Sequence, residues 1–267
     1  MIQSIVAGNP GPLTLDGTRC YVVGVSRVTV VDPGPDDPAH VDGLLRLLAG
    51  RPVETICLTH AHRDHAGAAT RLAAQTGGTV AASPETLARC GVDGMPLTAN
   101  QRVGVDGGAE TLIAVPSPGH SADHTAFLLS ESRSLFTGDL VLGTGSSAVL
   151  HPDGHVGACL ASLSRLLSLR PRFLYPGHGP VVENGAARLV EYRQHRLARH
   201  AQIVDALLAG DRLIADIRRR VYGDLDSGLV PAANASIRAH LVYMRERGRD
   251  VPPIADEAAG DASPVEK

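Results

Sequence analysis

Histidines and an acidic residue are concentrated in one short stretch of the chain, residues 59–67, which reads Thr-His-Ala-His-Arg-Asp-His-Ala-Gly. Within it, His60, His62, Asp64 and His65 place three imidazoles and one carboxylate in six positions. Such water-preferring groups are costly to place directly after an apolar segment unless a cation holds them together. Imidazole nitrogens and carboxylate oxygens are ligands of a borderline divalent ion such as zinc, so this stretch predicts a metal site.

Three further loops carry residues of the same kinds. His120, Asp139 and His178 each follow a short apolar segment and lie beside Gly or Pro residues. Strand ends at one edge of a sheet are neighbours in space, so loops at that edge can converge on one site. Together the four loops offer five imidazoles and two carboxylates. That set is sufficient for two metal ions with positions left for water.

The elements that must position these residues alternate between strand and helix patterns. Residues 4–31 combine short apolar runs with turn residues and predict a β-meander. Further strands are predicted at 53–58, 79–82, 101–105, 110–115 and 124–129, and helices at 39–49, 66–76 and 84–89. This order indicates an α/β protein with layered sheets and helices.

Composition bounds the class of protein. The chain has 267 residues, of which 43% are hydrophobic, enough to bury a large core and to exclude a disordered chain. No apolar run approaches the roughly 20 residues of a membrane span, and the N-terminus lacks the pattern of a signal peptide. We therefore expect a soluble, cytoplasmic protein with no membrane partner.

The C-terminal segment has a different character from the rest of the chain. Helices are predicted at 184–209, 213–221 and 232–247, and residues 184–250 contain 12 Arg against 8 acidic residues. A basic helical segment on an acidic body suggests a place for a polyanion, although the charge alone favours a solvated helical surface. The predicted division is a catalytic domain at 1–183, a helical domain at 184–250 and a flexible tail at 251–267.

The order His60-x-His62-x-Asp64-His65, then His120, Asp139 and His178, resembles the metallo-β-lactamase superfamily over roughly residues 4–182. The resemblance implies an αββα sandwich with two Zn²⁺ ions at one edge. It assigns one zinc to His60, His62 and His120, the other to Asp64, His65 and His178, and a bridging position to Asp139.

Two further residues are expected to support the ligands. Asp32 matches the carboxylate that precedes the His-rich loop in this superfamily, and its expected role is to orient a ligand by hydrogen bonding. His124 lies one turn past a ligand loop and is a second candidate for that role, although an ordinary hydrogen-bonded histidine is equally compatible.

The implied reaction is hydrolysis, with a hydroxide shared by the two metals as the nucleophile and Asp64, Asp139 and His178 as the catalytic residues. The chemistry does not choose between a carbonyl and a phosphorus centre. The run Tyr-Arg-x-His-Arg at 192–196 resembles the β-lactamase-like protein 2 endoribonucleases, which carry a winged-helix-like C-terminal domain. That resemblance favours cleavage of single-stranded RNA, with phosphate contacts from Arg193, Arg196 and Arg199 and from the three arginines at 218–220.

Two alternatives to RNA cleavage are compatible with the sequence. A thioester or other acyl hydrolase, similar to hydroxyacylglutathione hydrolase or opening β-lactams, fits the same metal site. A non-catalytic nucleic-acid-binding module is less favoured because the ligand set is intact. Aromatic residues make up only 3% of the chain, which leaves few platforms for stacking RNA bases. The sequence does not determine which metals are bound in the native protein or whether the chain forms a homodimer.

Overall fold

The computed structural model describes residues 1–256 of the chain. Two β-sheets form its centre. The first sheet has the order β1-β2-β3-β4-β5-β6. Its strands are Ile2–Val6, Arg19–Val23, Val28–Val31, Val53–Cys57, Thr79–Ala82 and Met95–Pro96. The second sheet has the order β11-β10-β9-β8-β7. In chain order from β7 to β11, its strands are Arg102–Val105, Glu110–Pro116, Thr125–Leu129, Ser134–Gly138 and Phe173–Pro176.

The strand directions determine which loops can meet. In the first sheet, β1, β2 and β3 form the predicted antiparallel meander, and β3 to β6 run parallel. In the second sheet, β7 to β10 are antiparallel neighbours, whereas β10 and β11 are parallel. Since β8 and β10 both lie antiparallel to β9, the strands β8, β10 and β11 all end at the same edge.

Eight α-helices complete the described part of the chain. From α1 to α8 they are Pro38–Leu48, Arg63–Ala66, Ala69–Thr76, Pro84–Cys90, Val156–Ser168, Gly185–Leu208, Ile214–Tyr222 and Val230–Glu246. The single helix predicted at 66–76 is divided between α2 and α3. No helix was predicted at α5, although Val156, Cys159, Leu163 and Leu166 follow one another at helical spacing and form its buried face.

The core lies in three layers, as an αββα sandwich requires. In β2, Cys20 and Val22 face α1 and α3, while Tyr21 and Val23 face the second sheet. This alternation follows from the two-residue period of a strand, which lets one strand serve two layers. On the far side of the second sheet, α5 and α6 cover the remaining apolar face. The predicted fold class is confirmed.

The C-terminal helices are attached to this sandwich through α6. Leu189 and Tyr192, near its N-terminus, belong to the core under α5, whereas Ile203 and Ala206 pack against α7 and α8. The helical C-terminal region is therefore confirmed, and the winged-helix comparison and the domain division at residue 183 stay predictions. Residues 251–256 of the predicted tail lie against the start of α7, where Ala255 pairs with Leu213. The remainder of that tail lies outside the described residues.

Across residues 1–256, the helices are all too short or too polar to cross a membrane.

Candidate metal centre

The seven predicted ligands come from four loops at one edge of the sandwich. His60 and His62 lie between β4 and α2, and Asp64 and His65 lie on α2 itself. The other three follow the ends of β8, β10 and β11, which the strand directions place at the same edge. The chain therefore brings together residues that are up to 118 positions apart in the sequence, as shown by His60 and His178.

Glycines allow these loops to approach closely. A Cβ atom on Gly177 would lie 2.4 Å from Cε1 of His65 and 2.6 Å from Oδ1 of Asp139. Gly138 has φ of +45°, and a Cβ there would lie 2.6 Å from Oγ1 of Thr59. Only glycine fits both positions, because any side chain would overlap the site.

One group of donors consists of three imidazoles and a carboxylate. Nδ1 of His62 lies 3.0 Å from Nε2 of His60 and 3.0 Å from Nε2 of His120. Oδ2 of Asp139 lies 3.6 Å from the same His120 nitrogen. One ligand atom from each of these residues lies within 4.8 Å of the others, which is the spacing of donors around a single cation.

The second group is adjacent to the first. Nε2 of His65 lies 3.4 Å from Nε2 of His178 and 3.4 Å from Oδ2 of Asp64. Asp139 reaches this group as well, since its Oδ1 is 3.2 Å from His65 Nε2 and its Oδ2 is 3.3 Å from His178 Nε2. Asp139 therefore lies between the two groups, where the predicted bridging ligand should be.

Hydrogen bonds on the outer sides of the rings direct their lone pairs inward. Nδ1 of His120 and Nδ1 of His178 lie 2.8 Å and 3.1 Å from the carbonyl oxygens of Ala148 and Gly17, which can only accept. Nδ1 of His65 faces Oδ2 of Asp32 at 2.9 Å in the same way. Each outer nitrogen must then carry the proton, so the inner nitrogen is left as a metal donor.

His60 follows the same rule through an intermediate hydroxyl. Thr59 donates its Oγ1–H to Oδ2 of Asp32 at 2.7 Å, so its oxygen accepts from Nδ1 of His60 at 2.9 Å. Asp32 also accepts from the backbone N–H of Thr59. Asp32 thus lies where the sequence placed it, fixing a loop and two rings at once.

His124 is buried behind the site. Its ring centroid is 5.2 Å from that of His60, and its Nδ1 is hydrogen-bonded to Oγ of Ser117 at 2.9 Å. Burial and the neighbouring His120 lower the pKa of His124 to about 3, so the ring is neutral. Packing of the His60 ring, rather than a hydrogen bond to a predicted ligand, is the contact that the structure gives it.

The titration of the donors fits a divalent cation. Burial, followed by the neighbouring His65 and His120, holds the pKa of His60 well below its usual range, so His60 offers the neutral form that a metal requires. Burial would raise the pKa of Asp139, but His65 and His178 outweigh it and hold the pKa well below its usual range. Oδ1 of Asp139 is buried with no hydrogen-bond partner among residues 1–256. The atom that this oxygen faces is Nε2 of His65 at 3.2 Å, and a cation between the two would satisfy both.

The second group is arranged to hold positive charge. Burial lowers the pKa of His178, but Asp139 and Asp64 outweigh it and raise the pKa to about 9. The same competition raises the pKa of His65 well above its usual range through Asp139 and Asp32. Protons on these rings would compensate the carboxylates, and a divalent cation would replace them at the same place.

An ion network outside the ligands was not predicted from the sequence. Asp123 is buried and accepts from the backbone N–H of Ala61 at 2.9 Å and from Nη1 of Arg89 at 2.8 Å. Arg89 also donates Nη2 to Oδ1 of Asp153 at 2.6 Å, and Oδ2 of Asp153 lies 3.7 Å from Nε2 of His62. Asp123 follows His120 in the same loop, which is a signal for its role. Asp153 stands in a Pro-Asp-Gly turn and reads only as a turn residue.

A cavity of about 520 Å³ opens onto the donors. His62, Asp64, His120, Asp139 and His178 lie at one end of it. The walls include segment 12–15, segment 144–150 and parts of α6, α7 and α8. The hydroxyl of Tyr192 on α6 accepts from the backbone N–H groups of Leu142 and Ser147 at 2.7 Å and 3.1 Å, which fixes one wall to that helix.

The three arginines predicted to contact substrate lie on α6 but in different surroundings. Arg196 and Arg199 line the cavity, and Arg196 is buried. Arg193 is exposed and is not among the lining residues. The structure therefore brings two of the three to the cavity that opens onto the predicted metal centre.

The chain is similar in sequence to known proteins over most of its length. Residues 13–178 match the family model described as the metallo-beta-lactamase superfamily. The "Beta-lactamase-like protein 2 homolog" of Caenorhabditis elegans is 32% identical over 256 residues, covering 92% of this chain and 85% of that protein. The "Lactamase-like protein nscB" of Arthroderma benhamiae is 38% identical over 223 residues, covering 82% of this chain. The chain spans only 47% of that longer relative.

Solved structures agree on the fold. The metallo-beta-lactamase family protein TTHA1429 from Thermus thermophilus has a TM-score of 0.76 at 25% identity, covering 92% of this chain and 94% of its own. The protein TTHA1623, whose crystal structure is of a di-iron-bound form, has a TM-score of 0.56 at 30% identity, covering 70% of this chain and 98% of its own.

Proposed function

Since this chain belongs to the metallo-β-lactamase superfamily of hydrolases, we propose that it is a binuclear metal enzyme that hydrolyses ester or thioester bonds of acyl substrates. The lining of the cavity is the observation that carries this choice. Outside the donors, most of it is apolar, with Pro12, Leu13, Leu15, Leu142, Ala148, Leu150, Leu225, Leu229, Ala232 and Ala233. A deep apolar wall beside a metal centre fits an acyl group better than a charged, hydrated nucleic-acid backbone.

The arginines support the same choice. RNA binding was expected to use a basic surface on the C-terminal helices, but three of the arginines proposed for it are engaged elsewhere. Arg218 donates to Asn234, Arg219 to Asp216 and Arg220 to Asp211. Arg196 and Arg199 face the cavity rather than the outer surface. Of the six arginines expected to contact phosphate, three therefore pair with other side chains and two line the cavity, and Arg193 is the one left on the outer surface.

We assign the two metal positions as the sequence predicted them. One ion would be held by His60, His62 and His120, and the other by Asp64, His65 and His178. Asp139 would contribute to both positions. Nitrogen and oxygen donors with closely spaced imidazoles suit Zn²⁺, and the di-iron-bound relative makes iron the first competitor to test. When bound, the ions lower the pKa of water and polarise the substrate carbonyl.

The chain's own residues prepare the site for that reaction. Asp64 accepts from Oγ1 of Thr18 at 3.0 Å, and its pKa, which burial would raise, is lowered to about 2 by His178 and His65. It is therefore ionised at neutral pH and lines the cavity as the acceptor for a proton of the attacking water. Water adds to the acyl carbon, the bond to the alkoxy or thiol group breaks, and that group leaves with a proton.

The test uses protein whose metal content has been quantified. We expect hydrolysis of the N-acetylcysteamine thioester of octanoic acid to be faster than that of the acetic acid thioester, because the longer chain fills the apolar cavity. Single-stranded RNA and a chromogenic cephalosporin are assayed in parallel. Asp64→Ala should reduce turnover at least about a hundredfold, since it removes both a metal ligand and the group that accepts a proton from the attacking water.

Asp93→Ala is the matched control, because Asp93 is an exposed acid far from the donors in the sequence, after α4. It should leave every rate unchanged. RNA cleavage that disappears in Asp64→Ala, together with no thioester hydrolysis, would overturn the acyl proposal in favour of the endoribonuclease prediction.

A further inference from the structure

Beyond the donors, the charge lining the cavity is of one sign. Arg196 and Arg199 both contribute to its wall, and its lining residues include no acid other than Asp64 and Asp139. Those two carboxylates are committed to the predicted metals. The half of the cavity formed by α6, α7 and α8 therefore carries two guanidinium groups with no carboxylate to balance them.

Arg196 is buried without an ionic partner. Only 4% of its surface is exposed, and its Nη2 donates to the backbone oxygen of Ser147 at 2.7 Å. Its Nε is buried and has no hydrogen-bond partner within residues 1–256. Burying a charge is costly unless an opposite charge and hydrogen bonds compensate it, so this arginine lacks a group that it would be expected to have.

Arg199 is fixed in position beside it. Its Nη1 donates to the backbone oxygen of Val221 at 2.6 Å, and its guanidinium carbon lies 4.1 Å from the ring centroid of Tyr222. Stacking on one face and a single backbone hydrogen bond hold the guanidinium in place while leaving donors for a ligand. No carboxylate of the described chain forms an ion pair with either arginine.

Neighbouring rings respond to this uncompensated charge. Burial, followed by Arg196 and Arg199, lowers the pKa of His195, which also lines the cavity. Burial and then Arg196 lower the pKa of His240 to about 3. The positive potential is therefore not cancelled locally.

The guanidinium groups lie close enough to the donors to act on the same molecule. Ser147, which accepts from Arg196, is followed by Ala148, whose carbonyl accepts from the predicted ligand His120. One short segment of backbone thus joins the two. A substrate with its reactive carbonyl at the metals and its acyl part in the cavity would lie against walls that include Arg196 and Arg199.

We propose that Arg196 and Arg199 form an anion subsite, and that the natural substrate is an acyl compound carrying carboxylate oxygens in the part that fills the cavity. This inference rests on the proposed acyl hydrolase function. Arginine donors match such oxygens well, and the interaction would supply the missing counter-charge.

The experiment compares N-acetylcysteamine thioesters of equal length that differ at the far end of the acyl chain. Octanedioic acid linked through one carboxyl carries a terminal carboxylate, whereas octanoic acid ends in a methyl group. The wild-type enzyme should prefer an anionic substrate by about tenfold or more in kcat/KM, the effect of a hydrogen bond to a charged group.

The preference should fall to about one in Arg199→Gln and Arg196→Gln and be partly kept in Arg199→Lys, which retains the charge. Arg46→Gln, which replaces an exposed arginine on α1, should keep the full preference for the anionic substrate. Thermal unfolding identifies a variant that fails to fold. If Arg196→Gln, at the more buried position, does not fold, Arg199→Gln still tests the subsite. Equal kcat/KM for the neutral and the anionic substrate in the wild type would overturn the inference while leaving the proposed function intact.

If no thioester is hydrolysed, the proposed function fails and binding decides the inference separately. Isothermal titration with octanedioic acid monoamide and with octanamide compares one anion with its neutral analogue. Tighter binding of the anion that is lost in Arg199→Gln supports the subsite. Equal binding of the two compounds refutes it.

Discussion

At the scale of single residues, His62 differs from the other predicted histidine ligands because its Nδ1 faces the site and its Nε2 faces outward. Its Nε2 faces a carboxylate, Asp153, which Arg89 joins to the buried Asp123. Asp123 in turn binds the backbone N–H of Ala61, the residue before His62. One arginine therefore links the groups that fix both the ring and the backbone of this ligand.

We predict that Asp153→Ala weakens metal binding about 10- to 100-fold, the usual cost of losing a partner that orients a ligand. Competition with a chromophoric chelator measures the affinity, and elemental analysis gives the number of ions retained. Asp93→Ala is the control, as an exposed acid. Unchanged affinity in Asp153→Ala would mean that the 3.7 Å contact to His62 does not orient the ring.

His240 is a second residue whose surroundings set a measurable property, since it is buried between α6 and α8 beside His200. Its pKa of about 3 in the folded protein, lowered by burial and then by Arg196, is below the value of about 6.5 expected when unfolded. The unfolded chain then binds the proton more readily. The stabilisation is complete above pH 6.5 and is lost as the pH falls from there towards 3.

Wild-type protein should therefore lose stability between pH 7 and pH 5, with about 2 kcal/mol of that loss due to His240. Urea unfolding of His240→Gln at both pH values should show a loss smaller by about this amount. His151→Gln, at an exposed histidine, should behave like the wild type. An identical pH dependence in His240→Gln would contradict the assignment.

At the scale of elements, the site depends on strand ends that are close enough for side chains to touch. Gly177, between β11 and His178, packs directly on the ring of His65 and the carboxylate of Asp139. His65 cannot move aside because Asp32 holds its Nδ1. A single methyl group at this position must therefore displace the loop itself.

We predict that Gly177→Ala costs about 1–3 kcal/mol of stability, as overpacking does, and removes metal from the second donor group. Chemical denaturation and metal stoichiometry measure the two effects. Gly8→Ala is the matched control, since a Cβ there would have no atom within 4 Å. Full metal content in Gly177→Ala would show that the loops can separate without loss of the site.

At the scale of the whole molecule, the C-terminal helices share a core with the sandwich. Leu189, Tyr192 and Ala239 pack in the same cluster as Leu163 and Leu166 of α5. Helix α6 also holds the cavity wall through the Tyr192 hydroxyl. Folding of the first 183 residues should thus depend on the presence of α6 and α8.

We predict that a chain ending at Glu183 aggregates or unfolds at a lower denaturant concentration than the full chain, because it exposes the apolar face of α5. Size-exclusion chromatography and denaturation monitored by circular dichroism test this. Leu189→Ala in the full chain should show a milder loss of about 2–5 kcal/mol. A monomeric, metal-binding fragment with an unchanged midpoint would instead establish residues 1–183 as an independent domain.

The sequence by itself determined the family, the layered α/β fold and the set of predicted ligands. It could do so because the chemistry is local: His60 to His65 are six consecutive positions, and apolar strands before His120, Asp139 and His178 mark three more loops. The strand periods likewise predicted most elements, and the helix α5 was missed although its spacing was present.

Only the tertiary structure decided what surrounds those ligands. The contact of Asp153 with His62 joins residues 91 positions apart, and nothing near either of them in the sequence predicts it. The sequence named Arg193, Arg196 and Arg199 together as candidate substrate contacts, and only the packing of α6 showed that Arg196 and Arg199 line the cavity whereas Arg193 does not. Charge and residue type are local properties, but burial and partners depend on how distant elements pack, and those decide which substrate a site favours.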